Sequence, residues 1–126
     1  GWNRCDMSPI ADTILAFDGA TPRVVADLRS VSFEVEYVRE DVEDRYSDAD
    51  LDEAYQLVMS NQITGDDFKR LVGRSQYAAQ TLFFDDLVVF LFPSDRYDAV
   101  FASFDYDESF PVNALVSAAT EAQREE

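Results

Sequence analysis

Leu87-Val88-Val89-Phe90-Leu91-Phe92 is the longest uninterrupted apolar run of the chain, bounded by Asp85-Asp86 before it and Pro93-Ser94-Asp95 after it. Six residues between turn-forming pairs have the length of a strand and are too few for an ordinary helix. A strand with one wet face alternates apolar and polar side chains, and this one does not. Both of its faces must therefore be covered, by other elements of the chain, a partner or an apolar ligand.

Working outward, Tyr77 to Phe84 and Tyr97 to Phe104 read as strands on either side of it in sequence. Upstream, Val24, Ala26 and Leu28 alternate with Arg23, Val25, Asp27 and Arg29, and the first set is expected to face a core. Val31, Phe33, Val35 and Tyr37 alternate in the same way with Glu34 and Glu36, which should face water. A short link around Ser30 makes a hairpin of the pair. Helical signals fill the remaining stretches. Ser8-Pro9 is an N-cap followed by proline at the first helical position, and Ile10, Ile14 and Phe17 recur until Gly19.

Ser47 with Asp50 three residues on is a capping signal, and Leu51, Ala54, Tyr55, Val58 and Met59 mark one helical face after it. Thr64 with Asp67 repeats the signal before Phe68, Leu71 and Val72. Two helices, or one broken at Thr64-Gly65, are expected there. Pro111 opens a last helix with Val112, Leu115, Val116 and Ala119 on one face. The fold class is therefore α+β, a five-stranded antiparallel sheet with helices in the order α-ββ-αα-βββ-α. Residues 8–120 are expected to form one domain, 1–7 a disordered or appended N-terminus in which Met7 is a candidate native start, and 121–126 a polar tail.

The 126 residues carry 26 Asp and Glu against 10 Lys and Arg, a formal charge of −16. Only Lys69 is a lysine; nine arginines face seventeen aspartates and nine glutamates. Such imbalance destabilises a compact chain by self-repulsion, unless salt at molar concentration shortens the Debye length to about 3 Å. Acids spread along the whole chain, and not gathered in one tail, fit a salt-adapted protein better than a binder of one basic partner. An apolar and aromatic content of 47% and 13% separates the chain from disordered acidic tails. No apolar run has the length of a membrane span and no signal pattern opens the chain, so a cytoplasmic protein is expected.

At the residue level, Tyr37-Val38-Arg39-Glu40-Asp41-Val42, Tyr46-Ser47 and Leu51-Asp52-Glu53-Ala54-Tyr55 resemble a family of small acidic haloarchaeal proteins of unknown activity. Leu82 to Asp86, Phe92-Pro93-Ser94 and Tyr97 to Asp105 fit the same resemblance, which covers most of the chain from Arg23 onward. It implies a salt-rich habitat and no catalytic residue. The element order is similar to two architectures, the roadblock, longin and profilin-like group, often dimeric, and PAS-like domains that enclose a ligand. Fold similarity does not fix function.

The chain has no histidine and a single cysteine, Cys5. This removes the commonest general base, the commonest zinc ligand and every nucleophile that depends on a histidine. Asp48, Asp50 and Asp52 begin like a calcium loop, but Glu53 stands where the sharp turn needs glycine and Met59 where the bidentate glutamate belongs. A charged first helical turn explains the same residues. Acid pairs at Asp66-Asp67, Asp85-Asp86, Asp95-Asp98 and Asp105-Asp107 are the raw material of a carboxylate-only metal site, yet among 26 acids they are expected at turns and caps. Arg23, Arg29, Arg39 and Arg45 cluster around the first hairpin and are expected to pair with neighbouring acids, with partner recognition as the second reading.

The expected function is a non-catalytic regulatory or protein-interaction domain, homodimeric or bound to a protein partner. It is expected to have no cofactor, no metal and no membrane contact, and to bind nucleic acid at most at high salt. The candidate interface or pocket is Leu87, Val89, Phe90, Leu91, Phe92 and Phe101. A PAS-like sensor of a small apolar ligand and a carboxylate-only hydrolase are the alternatives.

Overall fold

A computed structural model describes residues 8–29, 32–94 and 99–125. The expectations for the N-terminal stretch, for the link at Ser30 and Val31, for the side chains of Arg29 and Phe33, and for Asp95 to Asp98 fall outside the described residues. The elements are α1 (Pro9–Ala16), β1 (Pro22–Arg29), β2 (Ser32–Val38), α2 (Asp48–Val72), β3 (Gln80–Phe83), β4 (Leu87–Pro93), β5 (Ala99–Asp105) and α3 (Val112–Arg124). The five strands form one sheet in the order β2-β1-β5-β4-β3, with every neighbouring pair antiparallel. The first and last helices pack on one face, where Ile10, Ile14, Leu115 and Ala119 join Val25, Val88, Phe90, Phe92, Val100, Ala102 and Phe104 in the larger core. The long helix crosses the other face, setting Val58 on Leu28, Leu91 and Ala99.

This two-sided cover explains the unbroken apolar run of β4. Val88, Phe90 and Phe92 point to α1 and α3, Leu91 points to α2, and Leu87 and Val89 lie half-buried on the α2 face. Phe90 stacks on Phe92 with centroids 5.5 Å apart and meets Phe104 edge-on at 5.8 Å, so aromatic contacts add to burial.

Three local features depart from the sequence reading. First, both faces of β1 are buried: Val24, Ala26 and Leu28 face α2, while Val25 and Asp27 face the larger core. Asp27 is tolerated there because it accepts hydrogen bonds from the backbone N–H and the hydroxyl of Ser8, whose oxygen in turn caps α1 by accepting from the Ala11 N–H at 3.0 Å.

Second, Val25 opposes Tyr37 while Ala26 opposes Val35, so Glu36 is the extra residue of a β-bulge. The bulge turns Tyr37 toward the larger core and leaves Val35 exposed, where simple alternation would put both on one face.

Third, α2 is one helix of 25 residues with no break at Thr64-Gly65. Ser47 and Asp50 close its N-terminus as a capping box, and Gly73 ends it in the left-handed conformation. Gly65 is buried within the helix, and a Cβ there would lie 2.6 Å from the Gln80 Nε2 and 3.0 Å from two ring carbons of Tyr77. The glycine permits close approach and does not break the helix. At the chain's end, α3 continues to Arg124 with Ala122 buried, so helix replaces most of the expected tail.

Candidate functional site

Only the middle of the α2 face is tightly covered. Beside it, between the N-terminal half of α2 and the sheet, a cleft of about 440 Å³ opens to solvent. Val24, Leu87, Val89, Phe101 and Ser103 form its floor; Leu51, Ala54 and Leu57 form the helical wall; and Arg23, Arg45, Asp50 and Glu53 bring both signs of charge to its rim. Strand register puts Ser103 in the floor: it lies opposite Val24 of β1 and Val89 of β4, all three on the α2 face.

Toward the β3 edge the surface becomes apolar. Leu57, Phe68, Leu71 and Val72 lie along one flank of α2 and are each more than half exposed, as are Leu82, Phe83 and Phe84 at the end of β3. The sequence reading gave Phe68, Leu71 and Val72 a second short helical face, on a separate helix or beyond a break at Thr64-Gly65. Continuous helical periodicity instead carries the inward face from Val58 to Gly65, and those three fall beside it. Phe68 and Val72, with Tyr77, Ala79 and Gln80, line a second open groove of about 530 Å³. The C-terminal half of α2 is held there by polar contacts: the Tyr77 hydroxyl donates to Gln62 at 2.8 Å, and the Gln80 amide donates to the Asn61 carbonyl at 2.9 Å.

The six residues selected from the sequence divide. Leu87, Val89 and Phe101 line the cleft, whereas Phe90, Leu91 and Phe92 are at most 4% exposed and belong to the cores. The apolar run of β4 thus marks cover on both sides, and only its α2-facing start reaches a site. Ser103, Arg23, Arg45 and the flank of α2 were not selected. The one signal for Ser103 is a hydroxyl inside an otherwise apolar strand.

Several of the acids are engaged in local structure. Asp66 and Asp67 pair with Lys69 and Arg70 one helical turn on, at 3.0 and 3.2 Å. Asp50 accepts from the Ser47 N–H, and Asp107 accepts from the Ser109 N–H and hydroxyl, which hold its carboxyl below the usual range. Arg39 binds Asp41 through two nitrogens and Asp105 through another two contacts, while Arg23 lies 3.7 Å from Asp105. Hydrogen bonds from Arg39 hold the Asp41 carboxyl below the usual range, and its two acid partners raise the Arg39 pKa in turn. Among the described residues no three acidic or cysteine side chains gather where a metal ion could be held, and no helix is long and apolar enough to cross a membrane.

The model of one protein family, Domain of unknown function (DUF7522), matches residues 8–124. No curated protein and no solved structure matches the chain.

Proposed function

The chain belongs to the DUF7522 family, and we propose that it is a protein-interaction domain that pairs with a second copy of itself through the β3 edge and the adjoining flank of α2. The observation that supports this reading is the contrast between the two edges of the sheet. The β2 edge carries Glu34 and Glu36, charges of the kind that discourage strand addition. At the opposite edge, Leu82, Phe83 and Phe84 stand exposed at the end of β3, and Phe68, Leu71 and Val72 stand exposed on α2, where Phe68 and Val72 share a groove with Gln80 and Thr81 of β3. Large apolar side chains left exposed in this number are the usual mark of an interaction site, and in a chain with a charge of −16 they have no role in solubility. An isologous pair would bury the same residues of both copies and close on itself. The salt-adapted reading of the composition fits this use, because screening removes the repulsion between two acidic copies.

The test is multi-angle light scattering in 2–3 M KCl, concentrations chosen so that the Debye length is about 3 Å or less. The native chain is expected to run as a dimer and the Phe68→Glu/Leu71→Glu variant as a folded monomer. A native chain that stays monomeric at high protein concentration overturns the reading.

A further inference from the structure

Ser103 is 4% exposed, and among the described residues its hydroxyl has no hydrogen-bond partner. A hydroxyl that no protein group satisfies and that faces the cleft offers a donor and an acceptor to whatever occupies it, where alanine or valine would offer neither. The hydroxyl is not placed at random: it lies at the base of the open cleft, flanked by Val24 and Val89, with Phe101 and Leu87 beside them. Independently of self-association, we propose that this cleft is a binding site for a small zwitterion with an apolar body whose inner end carries a hydroxyl or carbonyl group.

Each part of that description has a counterpart in the cleft. Ser103 both donates and accepts, so it suits a neutral hydrogen-bonding group at the buried end. The floor and the Leu51, Ala54 and Leu57 wall take the apolar body, and about 440 Å³ lies within the range of small-molecule sites. At the rim, Arg45 offers a guanidinium group that matches a carboxylate, Arg23 adds a second one 3.7 Å from Asp105, and Glu53 and Asp50 bring negative charge to the same rim. A simple anion would gain the arginines and be repelled by the acids. A molecule with a carboxylate and an ammonium group satisfies both, and at molar salt only such short-range pairs keep their strength.

Three probes separate the contributions: tyrosine, phenylalanine and 4-hydroxyphenylpropionate, titrated into the native chain in 2 M KCl and followed by amide chemical shifts. Tyrosine is expected to bind saturably and to shift the amides of Ser103, Val89 and Leu57. Phenylalanine, without the hydroxyl, and 4-hydroxyphenylpropionate, without the ammonium group, should each bind about tenfold more weakly, the ratio that one lost polar contact of about 1.4 kcal/mol produces. Ser103→Ala should reduce tyrosine affinity to that of phenylalanine and leave phenylalanine unchanged. Arg45→Gln, a rim substitution that leaves the floor intact, should weaken all three probes. No saturable binding by any probe, shifts centred on Phe68 and Tyr77 instead of the cleft, or tyrosine affinity unchanged in Ser103→Ala would each overturn the assignment. Equal affinity for tyrosine and 4-hydroxyphenylpropionate would overturn the zwitterion.

Discussion

The link between Ser8 and Asp27 makes a double-mutant cycle the strictest check of the fold. Asp27 is fully buried on a central strand and receives both the N–H (3.1 Å) and the hydroxyl of Ser8, while the Ser8 oxygen caps α1. Ser8→Ala removes the cap and one of the two bonds to Asp27, an expected loss of about 2 kcal/mol. Asp27→Ala removes both bonds and leaves the Ser8 N–H unpaired at a fully buried site, an expected loss of about 3 kcal/mol. Because the hydroxyl-to-carboxyl bond is counted in both, the double variant should fall short of the sum by roughly 1–2 kcal/mol. Thermal unfolding in molar KCl reads this directly: near 4 °C per kcal/mol for a domain of this size, Asp27→Ala should melt about 12 °C below the native chain. Losses that add within about 0.4 kcal/mol would show that the two side chains act independently, and would refute the docking of α1 on β1 through this pair.

Two further outcomes follow from the geometry. Gly65→Ala should lower the urea midpoint: the helix propensity gain of about 1 kcal/mol is outweighed by an overpacking cost of roughly 1–3 kcal/mol, since the new Cβ would lie 2.6 Å from the Gln80 amide and 3.0 Å from the Tyr77 ring. A raised midpoint would mean that α2 does not approach Tyr77 so closely. Carboxyl titration by NMR should place the Asp41 midpoint below its ordinary 3.8, so the stabilisation it contributes is present above the unfolded pKa and lost as pH falls through the depressed folded value. Arg39→Ala should return that midpoint to the ordinary range and leave that of Asp107, which Ser109 depresses, where it was.

Element order was legible in the sequence because each strand and helix announces itself locally. Asp85-Asp86 and Pro93-Ser94 bracket β4, Ser8-Pro9 and Ser47 cap helices that form where expected, and Gly73 ends α2. What was not legible depends on which elements become neighbours. Asp27 looks like the wet side of an alternating strand until β1 is known to be central and Ser8 is known to reach it. Gly65 has the residue type of a breaker, and only the presence of Tyr77 and Gln80 across from it turns it into a contact. The Glu36 bulge is a property of pairing with β1, invisible in β2 alone. The cleft was half legible for the same reason: an apolar strand shows that something covers it, but not that α2 covers Leu91 and leaves Leu87 and Val89 half-buried in an open floor.

Charge and apolar burial contribute very differently to this fold. Acids occupy turns, caps, the β2 edge and exposed positions along α2, and where they meet cations they form short surface pairs such as Asp66 with Lys69. Pairs of this kind contribute at most about 1 kcal/mol and less in salt, so the fold cannot rest on them. It rests on two cores divided by a sheet, and the larger of them contains the buried rings of Phe90, Phe92 and Phe104. At the β3 edge the apolar character continues outward through Leu82 and Phe83 with no acid before Asp85. Two copies meeting there would bring apolar surface together, with Asp66, Asp67, Asp85 and Asp86 close by in sequence. At low salt the total charge of each copy opposes that encounter over the whole molecule; in molar salt the repulsion reaches no further than about 3 Å, and local complementarity decides. If the chain pairs through this edge as proposed, light scattering should show the association strengthening with salt, the reverse of an interface held by ion pairs.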